Sequence, residues 1–351
     1  MLTAIVDLQF GSTGKGLFAG YLSTINDYDT VVSANMPNAG HTYVNAEGRK
    51  VVNKVLPSGV YSPGLKNICI GPGAVFDPQQ LMREEEELTD WGITKPRLVI
   101  HPNAAILKPH HKDSEAALNH IASTMQGSME AMVDKMRRHD TRNNIVGLNL
   151  THMGRLKNAV VDHNEWHRIM REAQNVLVEG SQGYSLGINA GFYPYCTSRD
   201  CTVWRLLADA GIHPHPSIKV IGTARVHPIR VGNTPNGFSG GCYPDQKEIS
   251  WSDLGIAPEQ TTVTKRDRRV FTFSEQQIVE AMEVNMVHEV FLNFCNYAPG
   301  EAARIAGRIN AIGSELRAKR DPIWADSSYP FSTVRYMGFG PQVNHIISIG
   351  T

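Results

Sequence analysis

The chain has 351 residues, 41% of them hydrophobic and 19% charged, so it can bury a large core as one elaborated domain. Thirty-four basic residues balance thirty-four acidic ones, so no net field draws nucleic acid or an anionic membrane, and any anion site has to be local. Five cysteines (Cys69, Cys196, Cys201, Cys242, Cys295), odd in number and without a C-x-x-C pair, argue against a disulfide framework or a zinc site. They fit a reducing, cytoplasmic setting. The N-terminus enters a strand-like run at once and no run of about 18 apolar residues follows, so a soluble, unprocessed chain without a membrane partner is expected.

In chain order, "LTAIVDL" (Leu2 to Leu8) is an apolar run ending in a glycine-rich turn, and "KGLFAGYLSTI" is helix-compatible, so the chain opens strand, loop, helix. Further strands are expected at Thr30 to Asn35, Asn67 to Gly71, Arg97 to His101, Asn175 to Gly180, Ile218 to Ala224 and Glu289 to Phe294. Helices are expected at Gln79 to Trp91, Ser114 to Met125, Glu130 to Arg138, Asn164 to Ala173, Glu275 to Asn285 and Glu301 to Ala318. Several strands are continuous apolar runs, as strands covered on both faces are. The reading is an α/β fold with a mainly parallel central sheet flanked by helices, residues 1–351 forming a single domain and Pro228 to Pro258 forming loop insertions.

Three stretches carry chemistry. "DLQFGSTGKGLF" (Asp7 to Phe18) is only a partial Walker A match, because Lys15 is followed by Gly16 and Gly11 stands too close to Gly14. A tight turn from strand to helix nevertheless offers backbone N–H groups and a helix N-terminus to an anion, with Lys15 as a point charge. "NMPNAGHTYV" places Asn38, Gly40 and His41 directly after a strand; on composition alone His41 reads as structural. "VLVEGSQGYSLGINAGFYPYCTSRD" (Val176 to Asp200) runs from a strand into a polar loop whose Gln182, Thr197 and Ser198 can read a base edge or a phosphate. His110–His111 and His213/His215 lack ligand spacing and read as structural.

Together these stretches resemble adenylosuccinate synthetase, the enzyme that phosphorylates O6 of IMP with GTP and displaces that phosphate with the amine of aspartate. Its W-G-D-E-G-K-G appears as "FGSTGKG", its G-N-N-A-G-H-T as "MPNAGHT", and its P-S-G and G-x-G-V-V-x-D-P as "PSG" and "GPGAVFDP". "EGSQG", "YPYCTS", "RVG" and "TTVTKRDRR" continue the match over nearly the whole chain. The resemblance implies the P-loop-NTPase-like fold of that family. It implies that Gly11, Thr13, Gly14, Lys15, Gly16, Gly40, His41 and Thr42 hold the transferred phosphate, with His41 as general acid and Lys15 as fixed cation. It places Asn38, Thr124, Gln182, Leu186 and Thr197 on the substrate nucleotide, and Thr264, Arg266 and Arg268 on the carboxylates of aspartate, although "KRDRR" on composition alone is a solvated basic loop. Gly340 and Pro341 fall beside the donor nucleotide. Arg138 falls on the arginine that reaches the partner's active site, which implies a homodimer.

Two departures from the family carry the specificity reading. Ser12 replaces the aspartate that removes the purine N1 proton and binds magnesium, and a neutral hydroxyl is a poor base without a partner. Its small size leaves room for a 2-amino group, which IMP lacks and a guanine nucleotide carries. "NFCN" replaces the guanine-reading T-K-x-D, so Asn296 stands in place of the carboxylate and Phe294 in place of the lysine. An amide pairs with adenine, which makes ATP or dATP the expected donor. These changes resemble the viral branch of the family, which joins aspartate to dGMP. Magnesium is expected on donor phosphates with Ser12 Oγ and the Gly40 carbonyl, and the N1 proton acceptor stays open between water, bound aspartate and a phosphate oxygen. The alternative is a compact family member acting on IMP with GTP or ATP. A non-catalytic nucleotide sensor would not need Lys15, His41 and the loop arginines together.

Overall fold

The computed structural model describes residues 1–115, 121–139, 143–213, 217–261, 265–319 and 333–349. Its centre is a nine-stranded sheet in the order Ile346–Ser348, Thr333–Gly338, Glu289–Asn293, Ile218–Arg225, Leu2–Asp7, Val176–Glu179, Thr30–Ser33, Asn67–Ile70, Arg97–Ile100. Every neighbouring pair is parallel except the last-formed edge, where Ile346–Ser348 runs antiparallel to Thr333–Gly338.

The strand Leu2–Asp7 is buried along its whole length. Leu2, Ala4 and Val6 pack on one face with Trp166, Ile169 and Ile278, while Ile5 packs on the other with Phe18, Leu22 and Val31. This two-sided burial is the reason such strands read as continuous apolar runs. The helices Lys15–Ile25, Pro78–Asp90, Ser128–Arg137, His163–Glu172, Glu275–Asn285 and Pro299–Ala318 agree with the expected ones to within two residues.

The helix expected over Ser114 to Met125 is only partly within the described residues: Ser114 and Glu115 belong to the helix Pro109–Glu115, residues 116–120 lie outside the described ones, and residues 121–126 are non-helical. Gly127, at φ +77°, comes within 3 Å of the His111 backbone as judged by where a Cβ would stand, and its N–H donates to the buried Glu115 carboxylate. That contact holds Gly127 against the helix Pro109–Glu115, and Ile121 pairs with Phe238. Tertiary pairing here overrides helical propensity. The sequence reading also lacks the hairpin of His41–Val44 with Lys50–Asn53 and the two C-terminal strands.

The polar residues of the motifs lie where parallel strands end. Asp7, Glu179, Arg225 and Asn293 are the final residues of four adjacent strands, the carboxyl edge at which open α/β sheets bind ligands.

Candidate active site

The turn after the first strand is organised by Asp7, whose side chain is buried. Its Oδ1 accepts from the N–H groups of Gln9 (2.9 Å) and Gly11 (3.2 Å), and its Oδ2 accepts from Thr13 Oγ1 (2.5 Å) and Lys15 Nζ (2.9 Å). A buried carboxylate is tolerated when its lone pairs are filled in this way. Lys15 Nζ also donates to the Gln182 carbonyl at 2.7 Å, so the ammonium is held by two elements at once. Gly14 caps the helix Lys15–Ile25 at φ +91°, and among the described residues no side-chain cap bonds to its first turn, which leaves those N–H groups for an anion. A Cβ on Gly14 would collide with Asn293 Nδ2, the group that donates to the Thr13 carbonyl at 3.1 Å.

His41 opens the hairpin and stands against the same turn, since a Cβ on Gly16 would fall 2.8 Å from His41 Cβ. Its Nδ1 lies 2.8 Å from Glu179 Oε1, with both side chains buried. Glu179 Oε2 accepts from Ser58 N–H at 2.8 Å. Burial alone would raise the Glu179 carboxyl, but His41, the Ser58 N–H and Lys15 outweigh it, and the group sits below its ordinary value. An ionised Glu179 beside Nδ1 holds the ring in one orientation against the phosphate turn.

Beside this phosphate end opens a cleft of about 370 Å³ lined by Asn38, Thr124, Gln182, Leu186, Thr197 and Arg230 among others. Five of the six residues expected on the substrate nucleotide from this chain, Asn38, Thr124, Gln182, Leu186 and Thr197, therefore share one cavity, and the sixth, Ser12, is not among its lining residues. Gln182 sits in the left-handed region at φ +59°, a conformation that costs a non-glycine residue on the order of 1 kcal/mol and has to be held by its surroundings. Its Nε2 donates to Asn38 Oδ1 at 3.0 Å, and its Oε1 accepts from the buried Arg199 Nη2 at 3.2 Å.

Ser12 is exposed at φ +59° on the crest of the turn. Its hydroxyl oxygen accepts from Arg268 Nη1 at 2.8 Å, and its carbonyl accepts from Arg225 Nη1 at 3.2 Å. Arg225 pairs in turn with Glu259 at 2.5 Å. Burial pushes the Arg268 guanidinium down to about 10, partly offset by Glu259, so it stays charged at neutral pH. Ser12 thus rests on a cation, and among the described residues no base bonds to its hydroxyl. Arg266 Nη2 donates to the carbonyls of Ala122 (3.4 Å) and Ser123 (3.0 Å), tying the arginine loop to the cleft wall next to Thr124.

Thr264 lies outside the described residues. Arg138 ends the helix Ser128–Arg137 in a left-handed conformation, is exposed, and does not line the cleft of its own chain. On the donor side, Asn296 is exposed just beyond the strand Glu289–Asn293, with Gly340 and the exposed Pro341 following the neighbouring strand Thr333–Gly338. One face of Phe294 is covered by the Arg225 guanidinium, 3.8 Å from the ring centre.

Four residues of the site escaped the motif reading: Asp7, Glu179, Asn293 and Arg199. All four stood inside quoted motifs, Asp7 in "DLQF", Glu179 and Arg199 in the stretch Val176 to Asp200 and Asn293 in "NFCN"; for Asp7 and Glu179 the signal is an acid at the last position of an apolar strand. Among the described residues, His110, His111 and Asp134 bring ligand-type atoms within 4.8 Å. His111 Nδ1, however, accepts from Lys108 N–H at 3.0 Å, so its Nε2 carries the proton and donates to Asp134 at 3.0 Å. The group is a hydrogen-bonded cluster, in keeping with a structural role. No helix among the described residues is long and apolar enough to cross a membrane.

A sequence model of the adenylosuccinate synthetase family matches residues 4–149 and 144–300. The chain is 50% identical over 346 residues to N6-succino-2-amino-2'-deoxyadenylate synthase of Vibrio phage phiVC8, covering 97% of this chain and 96% of that one. It is 43% identical to the protein of the same name from Salmonella phage PMBT28, covering 98% and 96%. Among solved structures it matches the succinoaminodeoxyadenylate synthetase (PurZ) of cyanophage S-2L, bound to dGMP and to dATP as an energy donor, with a TM-score of 0.87 and 39% identity over 100% of this chain and 95% of that one.

Proposed function

The chain belongs to the adenylosuccinate synthetase family, and from that premise we infer that it is a carbon–nitrogen ligase joining L-aspartate to C6 of dGMP. ATP or dATP supplies the phosphoryl group through a 6-phosphoryl intermediate. The products are N6-succino-2-amino-2'-deoxyadenylate, the nucleoside diphosphate and phosphate. The observation that carries this reading is Ser12: a small hydroxyl, held by Arg268, stands where the IMP-using pattern has an acid, in a chain whose cited phage relatives are named for the 2-amino product.

The residues divide the work as follows. Lys15 and the N–H groups at the start of the helix Lys15–Ile25 neutralise the phosphoryl group in flight, a task in which fixed cations and donors supply most of the rate. His41, oriented by Glu179, donates a proton to a phosphate oxygen. Asn38 and Gln182 hold position 6 of the purine, and Thr124 holds the substrate phosphate. Arg266, Arg268 and Thr264 hold the carboxylates of aspartate while its amine attacks C6 and expels phosphate. Arg268 leaves Ser12 Oγ to do so, which frees that oxygen.

The residues present suit Mg²⁺ held chiefly by the donor's phosphates. The turn's own carboxylate, Asp7, is already bound by four donors, and what remains are neutral oxygens, Ser12 Oγ and the Gly40 carbonyl, of the hard type this ion accepts. Magnesium when bound would neutralise phosphate charge. Asn296 reads the donor base. The exposed Arg138 reaches the substrate phosphate of a partner subunit in a homodimer.

The test is turnover of dGMP, GMP and IMP with aspartate and ATP or dATP, followed as phosphate release. Release that needs dGMP and aspartate together, with dGMP preferred, is expected; a preference for IMP would overturn the reading.

A further inference from the structure

Arg199 is buried behind Gln182 and is not itself among the residues that line the nucleotide cleft. Its guanidinium is fully anchored: Nη1 donates to the Ala34 carbonyl at 2.9 Å and lies 3.5 Å from Asp209 Oδ2, and Nη2 donates to Ser181 Oγ and to Gln182 Oε1. A guanidinium has donors and no acceptor, so the Gln182 atom facing it has to be the amide oxygen. The NH₂ end then faces Asn38, whose Oδ1 accepts from it, and this in turn commits the Asn38 NH₂ to the cleft side. The two amides lining the cleft are ordered in series by one buried cation.

We propose that Arg199 is a positioning residue that locks both amides so that they offer only N–H donors to position 6 of the bound purine, making the cleft select 6-oxo over 6-amino nucleotides. The inference rests on the purine-nucleotide reading of the cleft and goes beyond it. An O6 or 6-phosphoryl oxygen accepts from such donors, whereas a 6-amino group meets them donor to donor and leaves buried N–H groups unpaired, the kind of mismatch that discriminates most strongly. The same polarity favours release of the product, which carries N–H at that position. Because Lys15 donates to the Gln182 carbonyl, the residue that reads position 6 also holds the phosphate cation in register.

The experiment compares dGMP with its 6-amino counterpart, 2-amino-dAMP, as a competitive inhibitor, in the wild type, Arg199→Met and Arg199→Lys. A charge-assisted hydrogen bond of this kind biases an amide flip by roughly tenfold to a hundredfold. In Arg199→Met the ratio of Ki for 2-amino-dAMP to KM for dGMP is expected to fall by about tenfold or more, with the change in KM larger than that in kcat; Arg199→Lys restores much of the ratio. An unchanged ratio with kcat and Tm falling together would mean that Arg199 is only structural and would overturn the proposal.

Gln182→Glu gives a second reading in case Arg199→Met does not fold. With one carboxylate oxygen held by Arg199, the other draws the Asn38 NH₂ and turns its carbonyl to the cleft, so the preference is expected to move toward 2-amino-dAMP; retention of the dGMP preference counts against the lock. A wild type that used IMP instead of dGMP would defeat the functional reading alone, since the lock is then tested with IMP against AMP.

Discussion

The two ends of the site are built on different principles. At the phosphate end, Asp7, His41 and Glu179 at strand ends and Lys15 at the start of a helix are buried, with charge matched to charge. At the base end, Ser12 and Asn296 are exposed residues on a turn and a single helical turn, and Thr124 lies on the non-helical residues 121–126. On the proposed reading, chemistry common to the family rests on the part of the fold that cannot move without cost, and the choice of dGMP over IMP and of the donor base rests on single neutral residues that can change at little cost. Buried charge networks lose several kcal/mol when one member is removed, whereas exposed polar exchanges are worth about 1 kcal/mol or less.

The contrast is broken most severely at Lys15. Lys15→Met is expected to lower kcat by about a thousandfold or more and also to destabilise the fold by roughly 3–5 kcal/mol, because Asp7 is left as an uncompensated buried charge. A stable Lys15→Met protein in urea unfolding would show that the phosphate end is not the rigid part. Next comes the histidine pair: Glu179→Gln is expected to lower kcat by about a hundredfold, with Km for dGMP little changed, as loss of an oriented general acid does.

The same carboxylate makes a pH prediction. Its folded pKa is depressed, so the unfolded state takes up protons first; the stability it confers is complete above the ordinary glutamate range near 4.5 and is lost as pH falls through the folded value. Between pH 6 and pH 4 the wild-type unfolding midpoint is therefore expected to drop more than that of Glu179→Gln, and parallel curves would contradict the assignment.

Effects at the base end should be smaller and confined to selectivity. Ser12→Asp is expected to raise Km for dGMP about tenfold by crowding the 2-amino group and taking up Arg268, with stability unchanged. Asn296→Asp is expected to move donor preference from ATP toward GTP by a few fold, since the position is exposed. If Ser12→Asp instead lowered stability as Lys15→Met does, the two ends would not be separable.

The same division governed what the sequence revealed. The strand Leu2–Asp7, the turn and the helix Lys15–Ile25 are legible because an apolar run, two glycines and a lysine act within about twenty residues of one another. The cleft residues Asn38, Gln182 and Thr197 became visible through the family pattern, whose spacing survives here. Glu179 and Arg199 are different: the first matters because His41, more than a hundred positions earlier, packs on it, and the second because Gln182 needs an immobile donor behind it. Neither relation leaves a local trace. The non-helical residues 121–126 within the expected helix Ser114 to Met125 have the same cause, since Ile121 pairs with Phe238, more than a hundred positions later.

The left-handed backbone at Ser12 has an evolutionary consequence. At φ +59° the turn admits glycine, asparagine, aspartate and, less readily, serine, while β-branched side chains are excluded by collision with their own backbone. Position 12 is therefore an alphabet of few letters, and among them are the acid of the IMP-using pattern and the hydroxyl found here. Passage between the two kinds of substrate requires no rebuilding of the turn, and lineages can cross that boundary, in either direction, through neighbours in sequence space that all fold.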